Sequence, residues 1–279
     1  LARGAGPTGV GTFSIAFAAA LIAVMVLASG QQEVLIREVA RHPEEARSLL
    51  AGSEAVLRRT ALWLLPAAAI GAMTVPEPGL RLTLLALVPY AAARTATVVV
   101  GAAFKGRDRM DLEPRARGIE VAVAVALIAV GAARAWPVWT AGAAFTAGSG
   151  LGLLWLHGRR GELGGPAAAA APAPLAREGL PFMLLAVAGQ LLANQDRFLL
   201  ELSGVARSDI GLWAAAATLA WAVVALPQLL AVAAYPTLSR AAAAGKSRSV
   251  YGIASGAGGA LAGLAACAVL RVAAEPLVR

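Results

Sequence analysis

Polar side chains recur at regular spacing inside one of the most apolar stretches of this sequence. Gln190, Asn194, Arg197 and Glu201 follow one another at intervals of three or four residues among leucines. Because a helix turns by about 100° per residue, this spacing places all four side chains on one narrow stripe. A charged group facing lipid costs at least ~2.5–3.5 kcal/mol, so such a stripe faces a cavity or a partner. Asp196 lies about 100° away from the stripe, in a position suited to pairing with a neighbouring helix.

A second apolar stretch repeats the arrangement. Tyr90, Arg94 and Thr97 share one helical face, and Arg94 lies near the middle of its run, where a side chain cannot reach the headgroups. A guanidinium is a permanent cation with forked donors that bind two phosphate oxygens together. The pattern therefore predicts a phosphate-binding cavity lined by Arg94, Arg197 and the polar residues beside them. Two alternatives remain open: Arg94 bonds to carbonyls of a neighbouring helix, or Arg197 and Glu201 extend to the outer headgroups.

The elements that carry these stripes are membrane helices. Mean hydropathy is +0.71 and only 14% of residues are charged. A bilayer core requires roughly 20 apolar residues in a helix. Eight runs approach that length, and most lack the polar stripe of a soluble amphipathic helix. They are residues 11–30, 62–75, 82–104, 119–133, 138–156, 180–202, 210–235 and 250–272. The sequence predicts an all-α polytopic membrane protein.

The basic residues predict its orientation. Sixteen Lys and Arg residues fall in loops on one side of the predicted spans and six on the other, which places the first side in the cytoplasm. The net charge of +8 thus requires no nucleic acid. Cys267 is the only cysteine, and His42 and His157 are isolated, so we expect neither a disulfide within the chain nor a metal site. No motif indicates a cofactor.

An internal repeat predicts two lobes. VGTFSIA at 10–16 resembles IGLWAAA at 210–216, and each lies at the start of an outside-to-inside span, so the repeat is parallel. The span before the second copy has no counterpart before the first, and we expect a first helix and later helices to be missing from this sequence. The predicted parts are an N-terminal bundle over 1–157, a Gly/Pro/Ala-rich cytoplasmic linker over 158–179 and the start of a C-terminal bundle over 180–279.

Six motifs occur in a recognisable order. They are GPTGVGTF at 6–13, IREVAR at 36–41, LPFML at 180–184, DRFLLELSG at 196–204, IGLWAAA at 210–216 and YPTLSR at 235–240. The set resembles the oligosaccharide flippase, or polysaccharide biosynthesis, family of the multidrug/oligosaccharidyl-lipid/polysaccharide exporter superfamily. That resemblance implies a two-lobe fold of two six-helix bundles, with helices two to nine present. It also implies transport of polyprenyl-pyrophosphate-linked oligosaccharide across a bacterial inner membrane.

Three function classes follow. The first is a flippase that acts without covalent catalysis, with Arg94, Arg197, Tyr90, Thr97, Gln190 and Asn194 binding the substrate, and Asp196 and Glu201 in ion coupling or structural pairing. Its partners would be the lipid-linked oligosaccharide, membrane lipids and other polysaccharide biosynthesis membrane proteins. The second is a cation-coupled multidrug exporter, for which the sequence shows no well-placed acidic residues in the first lobe. The third is a membrane glycosyltransferase or polymerase, for which the predicted outer loops are short.

Overall fold

The computed structural model describes residues 2–165 and 172–220, and within these ranges the chain is helical with no strand. The helices are α1 (Ala2–Ala28), α2 (Gln31–Arg41), α3 (Ala46–Met73), α4 (Pro78–Gly106), α5 (Leu112–Ala133), α6 (Trp139–His157) and α7 (Pro172–Leu202), followed by α8 over 207–220. Four stretches of the described part are long and apolar enough to cross a membrane: Ala5–Ala28, Pro43–Met73, Pro78–Gly106 and Leu112–Ala133. The all-α membrane class is confirmed. The predicted span 250–272 and most of 210–235 lie outside the described residues.

The third helix is longer than the span predicted for it, residues 62–75. The charges of 43–59 suit a short connector along the cytoplasmic interface, separate from the span 62–75. Instead α3 continues through Pro66, and the apolar side of its first half, with Leu50 and Leu57, is buried in the protein core. A proline inside a membrane helix is tolerated because the carbonyl it frees is satisfied locally. The second half of α3 exposes Trp63 and Ile70, as a lipid-facing surface does.

The core is built around α4. This helix contacts α1, α2, α3, α5 and α6. Where it crosses α1 and α6, an aromatic cluster joins Phe13, Phe17, Tyr90 and Phe145, with the rings of Phe17 and Phe145 centred 4.9 Å apart. Rings at such separations bury large apolar areas and fix the angles between helices. The cluster thus holds the Tyr90 side of α4 against α6.

Helices α5 and α6 pack closely through small residues. A Cβ at Gly152 would lie 2.6 Å from the carbonyl oxygen of Ala116, and one at Gly148 would overlap the carbonyl oxygen of Glu120. Two glycines four residues apart form the small-residue face that lets membrane helices approach at backbone distance. The position of the Glu120 backbone is therefore set by glycines on the neighbouring helix.

The contact between α1 and the start of α8 lies within residues 1–212, which form one compact unit. A Cβ at Gly11 would overlap the carbonyl oxygen of Arg207, and one at Gly211 would overlap that of Pro7. Positions 7 and 11 thus contact their counterparts 207 and 211 reciprocally, as copies related by a twofold axis do. This reciprocity supports the parallel repeat, in which Gly11 aligns with Gly211. The domain boundaries derived from that repeat stay a prediction.

The loops on the predicted cytoplasmic side are tied together by arginines. Nη1 of Arg107 donates to the carbonyl oxygens of Leu163, at 2.6 Å, and of Pro43, at 3.0 Å. Arg160 pairs with Glu54, and burial lowers the pKa of the Arg160 guanidinium from its ordinary value. These contacts join the α4–α5 loop to the segments before α3 and after α6, and so limit where α5 begins.

Candidate functional site

An antiparallel register between α4 and α5 brings distant charged residues together. A Cβ at Gly101 would lie 2.9 Å from Cβ of Glu113, so the chains are closest at that level. Arg94 is seven residues before Gly101 on α4, and Glu120 is seven residues after Glu113 on α5. Both are therefore about 10 Å from that level in the same direction, where they face each other. The lack of a side chain at Gly101 lets α5 approach α4 here. The predicted mid-membrane arginine is thereby placed beside two carboxylates of the next helix.

The guanidinium of Arg94 is held loosely by these carboxylates. Nη2 lies 3.7 Å from Oε1 of Glu113, and Nη1 lies 3.9 Å from Oε2 of Glu120. Both distances are beyond the 2.7–2.9 Å that is typical of a charge-assisted hydrogen bond. Nη1 is buried and has no hydrogen-bond partner within the described ranges. The charge of Arg94 is therefore compensated, while one nitrogen of its guanidinium has no acceptor among the described residues.

Each carboxylate has a second, closer cation. Nζ of Lys105 lies 2.5 Å from Oε2 of Glu113, and Arg117 donates a hydrogen bond to Glu120 from one turn earlier on α5. Glu120 is only 1% exposed, so its charge depends on these cations for compensation. Three cations thus face two carboxylates, which leaves one positive charge in excess. We call Arg94, Lys105, Glu113, Arg117 and Glu120 the charge cluster.

Two buried hydroxyls also lie beside the charge cluster, one on α4 and one on α6. Tyr90, one turn before Arg94, and Ser149 on α6 are both fully buried. Their hydroxyls interact with Arg117 and Glu120 respectively, but neither makes a hydrogen bond of good geometry in the described part of the chain. Buried polar groups without partners are uncommon, because each forfeits its bonds to water. Thr97 differs, since its hydroxyl donates to the carbonyl oxygen of Ala93 at 3.0 Å. Of the predicted α4 residues, Tyr90 and Arg94 thus retain free hydrogen-bonding capacity.

The second predicted stripe forms a chain of hydrogen bonds along α7. Nη1 of Arg197 donates to Oδ1 of Asn194 at 2.7 Å, and Nδ2 of Asn194 donates to the carbonyl oxygen of Gln190 at 2.8 Å. Glu201 accepts a hydrogen bond from Arg207 at 2.5 Å, so it belongs to an ion pair at the start of α8. Asp196 is partly buried, and its coupling or pairing role stays a prediction.

The two stripes have different neighbours. The ion pairs of Arg94 run to α5, whereas Arg197 bonds within α7, a helix that packs on α1, α2 and α3. A shared cavity lined by Arg94 and Arg197, with Gln190 and Asn194 near Tyr90, therefore stays a prediction. The observed partners of Arg94 are carboxylates rather than the carbonyls of a neighbouring helix.

The carboxylates of the cluster were not predicted. No acidic residue of the predicted first lobe, residues 1–157, was expected to be well placed, yet Glu113 and Glu120 lie there beside Arg94. A signal was present: the two are seven residues apart, which is two helical turns, and Arg117 lies between them on the same face. Matching them to Arg94 also required the register of α4 against α5, which no local pattern contains.

The close packing of α6 on α5 should be measurable at a single position. Gly148→Ala is expected to destabilise the protein by about 1 kcal/mol, because its Cβ would overlap the Glu120 carbonyl and force the backbones apart. Gly150→Ala is the matched control, since nothing lies within 4 Å of a Cβ there. Denaturant titration of the purified protein measures both. Equal stability of the two variants would contradict the packing described for this interface.

Comparison with known proteins identifies the chain. A family model described as polysaccharide biosynthesis protein matches residues 1–242. The chain belongs to this family. The match contains the charge cluster and the α7 stripe, and it confirms the family resemblance of the ordered motifs. No curated protein and no solved structure was found that matches the chain.

Family membership and the helical fold together indicate the role of the protein. As a member of the polysaccharide biosynthesis protein family with several apolar helices, the chain is a multi-pass membrane protein that acts in polysaccharide biosynthesis. Its buried charges therefore lie in helices surrounded by lipid, where an ion without a partner is strongly unfavourable. In this polysaccharide biosynthesis protein the charge cluster supplies such partners, since each of its carboxylates lies beside a lysine or an arginine.

Proposed function

We propose that this protein is a flippase that moves polyprenyl-pyrophosphate-linked oligosaccharide across the bacterial inner membrane. The observation that carries the proposal is the buried Nη1 of Arg94, which has charge compensation nearby but no hydrogen-bond acceptor in the described part of the chain. A pyrophosphate oxygen is the acceptor that such a donor suits best, because guanidinium and phosphate form short charge-assisted bonds.

The charges around Arg94 also suit a phosphate headgroup. With three cations and two carboxylates, the charge cluster attracts an anion without leaving a large uncompensated charge when it is empty. The Tyr90 hydroxyl, one turn away, is a second donor without an acceptor among the described residues. In this proposal the sugars stay in water, the polyprenyl chain stays in lipid, and one bundle rocks against the other without covalent chemistry.

Alternative classes fit these contacts less well. A cation-coupled multidrug exporter needs carboxylates that are free to bind a cation, whereas Glu113 and Glu120 each lie close to a lysine or arginine. A glycosyltransferase or polymerase needs carboxylates exposed to water beside its acceptor. The carboxylates of the charge cluster are largely buried, with Glu120 at 1% exposure. We therefore favour the flippase.

Transport by Arg94 variants tests the proposal. Arg94→Ala should weaken headgroup binding roughly 10- to 150-fold, since a hydrogen bond to a charged group is worth about 1.5–3 kcal/mol. Arg94→Lys keeps the charge but loses the paired N–H donors of the guanidinium, so its headgroup affinity should lie between those of wild type and Arg94→Ala. Folding should suffer less, because Lys105 and Arg117 still compensate Glu113 and Glu120. The measurement is translocation of lipid-linked sugar in cells by the full-length protein at matched membrane abundance.

Arg81→Ala serves as the control, because Arg81 lies on the same helix one turn from its start. It should transport like wild type. If Arg94→Ala also transports like wild type, Arg94 is a packing residue and the pyrophosphate binds elsewhere.

A further inference from the structure

We infer that Glu113 and Glu120 are internal counter-ions that compete with the substrate's phosphate for Arg94 and thereby promote its release. This inference rests on the proposed function, since it concerns the same binding site. It assigns a role to two residues that do not themselves bind an anionic substrate. Their part is to keep the affinity for the headgroup low enough for transport to continue.

The unequal distances in the charge cluster carry the inference. Glu113 lies 2.5 Å from Lys105 but 3.7 Å from Arg94. Glu120 is hydrogen-bonded to Arg117 but lies 3.9 Å from Arg94. Each carboxylate is thus anchored by its own cation and only approaches Arg94. Such an arrangement compensates the arginine without occupying its donors.

The packing of α5 keeps the carboxylates at that distance. The Glu120 backbone is set by its contact with Gly148, and Glu113 packs over Gly101. Helix α5 therefore cannot shift easily toward or away from Arg94. When a phosphate oxygen binds Nη1, both carboxylates remain close and repel it. The fixed negative charge of the two carboxylates therefore weakens phosphate binding. When the phosphate leaves, the same carboxylates already compensate the charge of Arg94.

A bound phosphate is also stabilised by the excess positive charge of the charge cluster. Lys105 and Arg117 attract the anion at longer range, while Glu113 and Glu120 oppose it close to Arg94. Affinity is thus the difference between two opposing effects. Removing one carboxylate should raise affinity, because the attraction remains while part of the repulsion is lost.

Binding of inorganic pyrophosphate to the purified full-length protein tests this inference. Glu120→Gln keeps the size of the side chain and removes its charge, and pyrophosphate should bind about tenfold more tightly than to wild type. Glu113→Gln should change binding in the same direction, and it leaves the buried Glu120–Arg117 pair intact if Glu120→Gln folds poorly. Glu33→Gln, on the exposed side of α2, is the control and should bind like wild type.

Transport kinetics separate this role from a structural one. In both variants the apparent KM for lipid-linked sugar should fall, and the maximal rate should fall with it, because release becomes slower. A merely structural role would lower the rate and leave pyrophosphate affinity unchanged. That result, with Arg94→Ala still weakening pyrophosphate binding, overturns the counter-ion role and leaves the proposed function standing. If Arg94→Ala binds pyrophosphate like wild type, Arg94 is not the phosphate site, and both the site assigned in the proposed function and the counter-ion role fail.

Discussion

Replacing Arg117 with leucine is expected to destabilise the protein by about 3–5 kcal/mol, because it leaves a buried carboxylate without its nearest cation. Glu120 is 1% exposed, and Arg94, at 3.9 Å, would then be its nearest cation among the described residues. Neither water nor lipid can solvate the uncompensated charge at that depth. The measurement is the free energy of unfolding of the purified protein, followed by tryptophan fluorescence during denaturant titration.

A double variant separates lost charge compensation from lost packing. Arg117→Leu combined with Glu120→Leu removes both members of the pair, and most of the stability should return, since an apolar pair can replace a buried ion pair with little loss. The matched control is Arg115→Leu, two residues away on α5. Arg115 is 62% exposed and pairs with Asp111 at 3.4 Å. Such a surface pair contributes about 1 kcal/mol or less. If Arg117→Leu is no more destabilised than Arg115→Leu, Glu120 does not depend on Arg117.

The crossing of α1 and α8 should be the second most sensitive place. Gly11→Val and Gly211→Val should each destabilise the protein by about 3 kcal/mol, near the upper end for overpacking. The atom that a new side chain would meet is a backbone oxygen of the other helix, which cannot rotate away. Since both substitutions force apart the same helix crossing, the double variant should lose less stability than the two single variants lose together.

The control for this pair is Gly189→Val on α7, where nothing lies within 4 Å of a Cβ. Its unfolding free energy should stay within about 0.5 kcal/mol of wild type, because valine and glycine differ little in helix propensity. Thermal and denaturant unfolding at equal protein concentration compare the variants. Strict additivity of Gly11→Val and Gly211→Val would contradict the reciprocal contact and weaken the structural support for the repeat.

Local patterns of the sequence were sufficient for the class of fold. Hydropathy over about 20 residues is a local property, so the apolar runs at 82–104 and 119–133 mark α4 and α5 directly. The ordered motifs identified the family, and the match between 10–16 and 210–216 pointed to Gly11 and Gly211 before their contact was known. The stripe spacing likewise singled out Arg94 and Arg197, because helical periodicity fixes which side chains share a face.

The boundary of α3 was less predictable. The change from polar to apolar composition near residue 60 suggests a break between a connector and the span 62–75, and Pro66 suggests a kink within that span. The helix continues because the apolar residues of its first half, Leu50 among them, are buried against other helices. Tertiary packing overrides a local preference of a few kcal/mol at most.

The partners of Arg94 were decided by tertiary structure alone. Sequence periodicity places Arg94 on a face of α4 and Glu120 on a face of α5, but it does not specify how far one helix slides along the other. That register follows from contacts between residues remote in sequence: Gly101 against Glu113, Gly148 against Glu120, and Arg107 against the Leu163 carbonyl. A shift by one turn, about 5.4 Å, would separate Arg94 from Glu120 and weaken the charge compensation of Arg94, whereas Glu120 would keep Arg117 of its own helix. The sequence by itself thus determined which residues are polar within the membrane, and only the packing of the helices determined which of those charges meet.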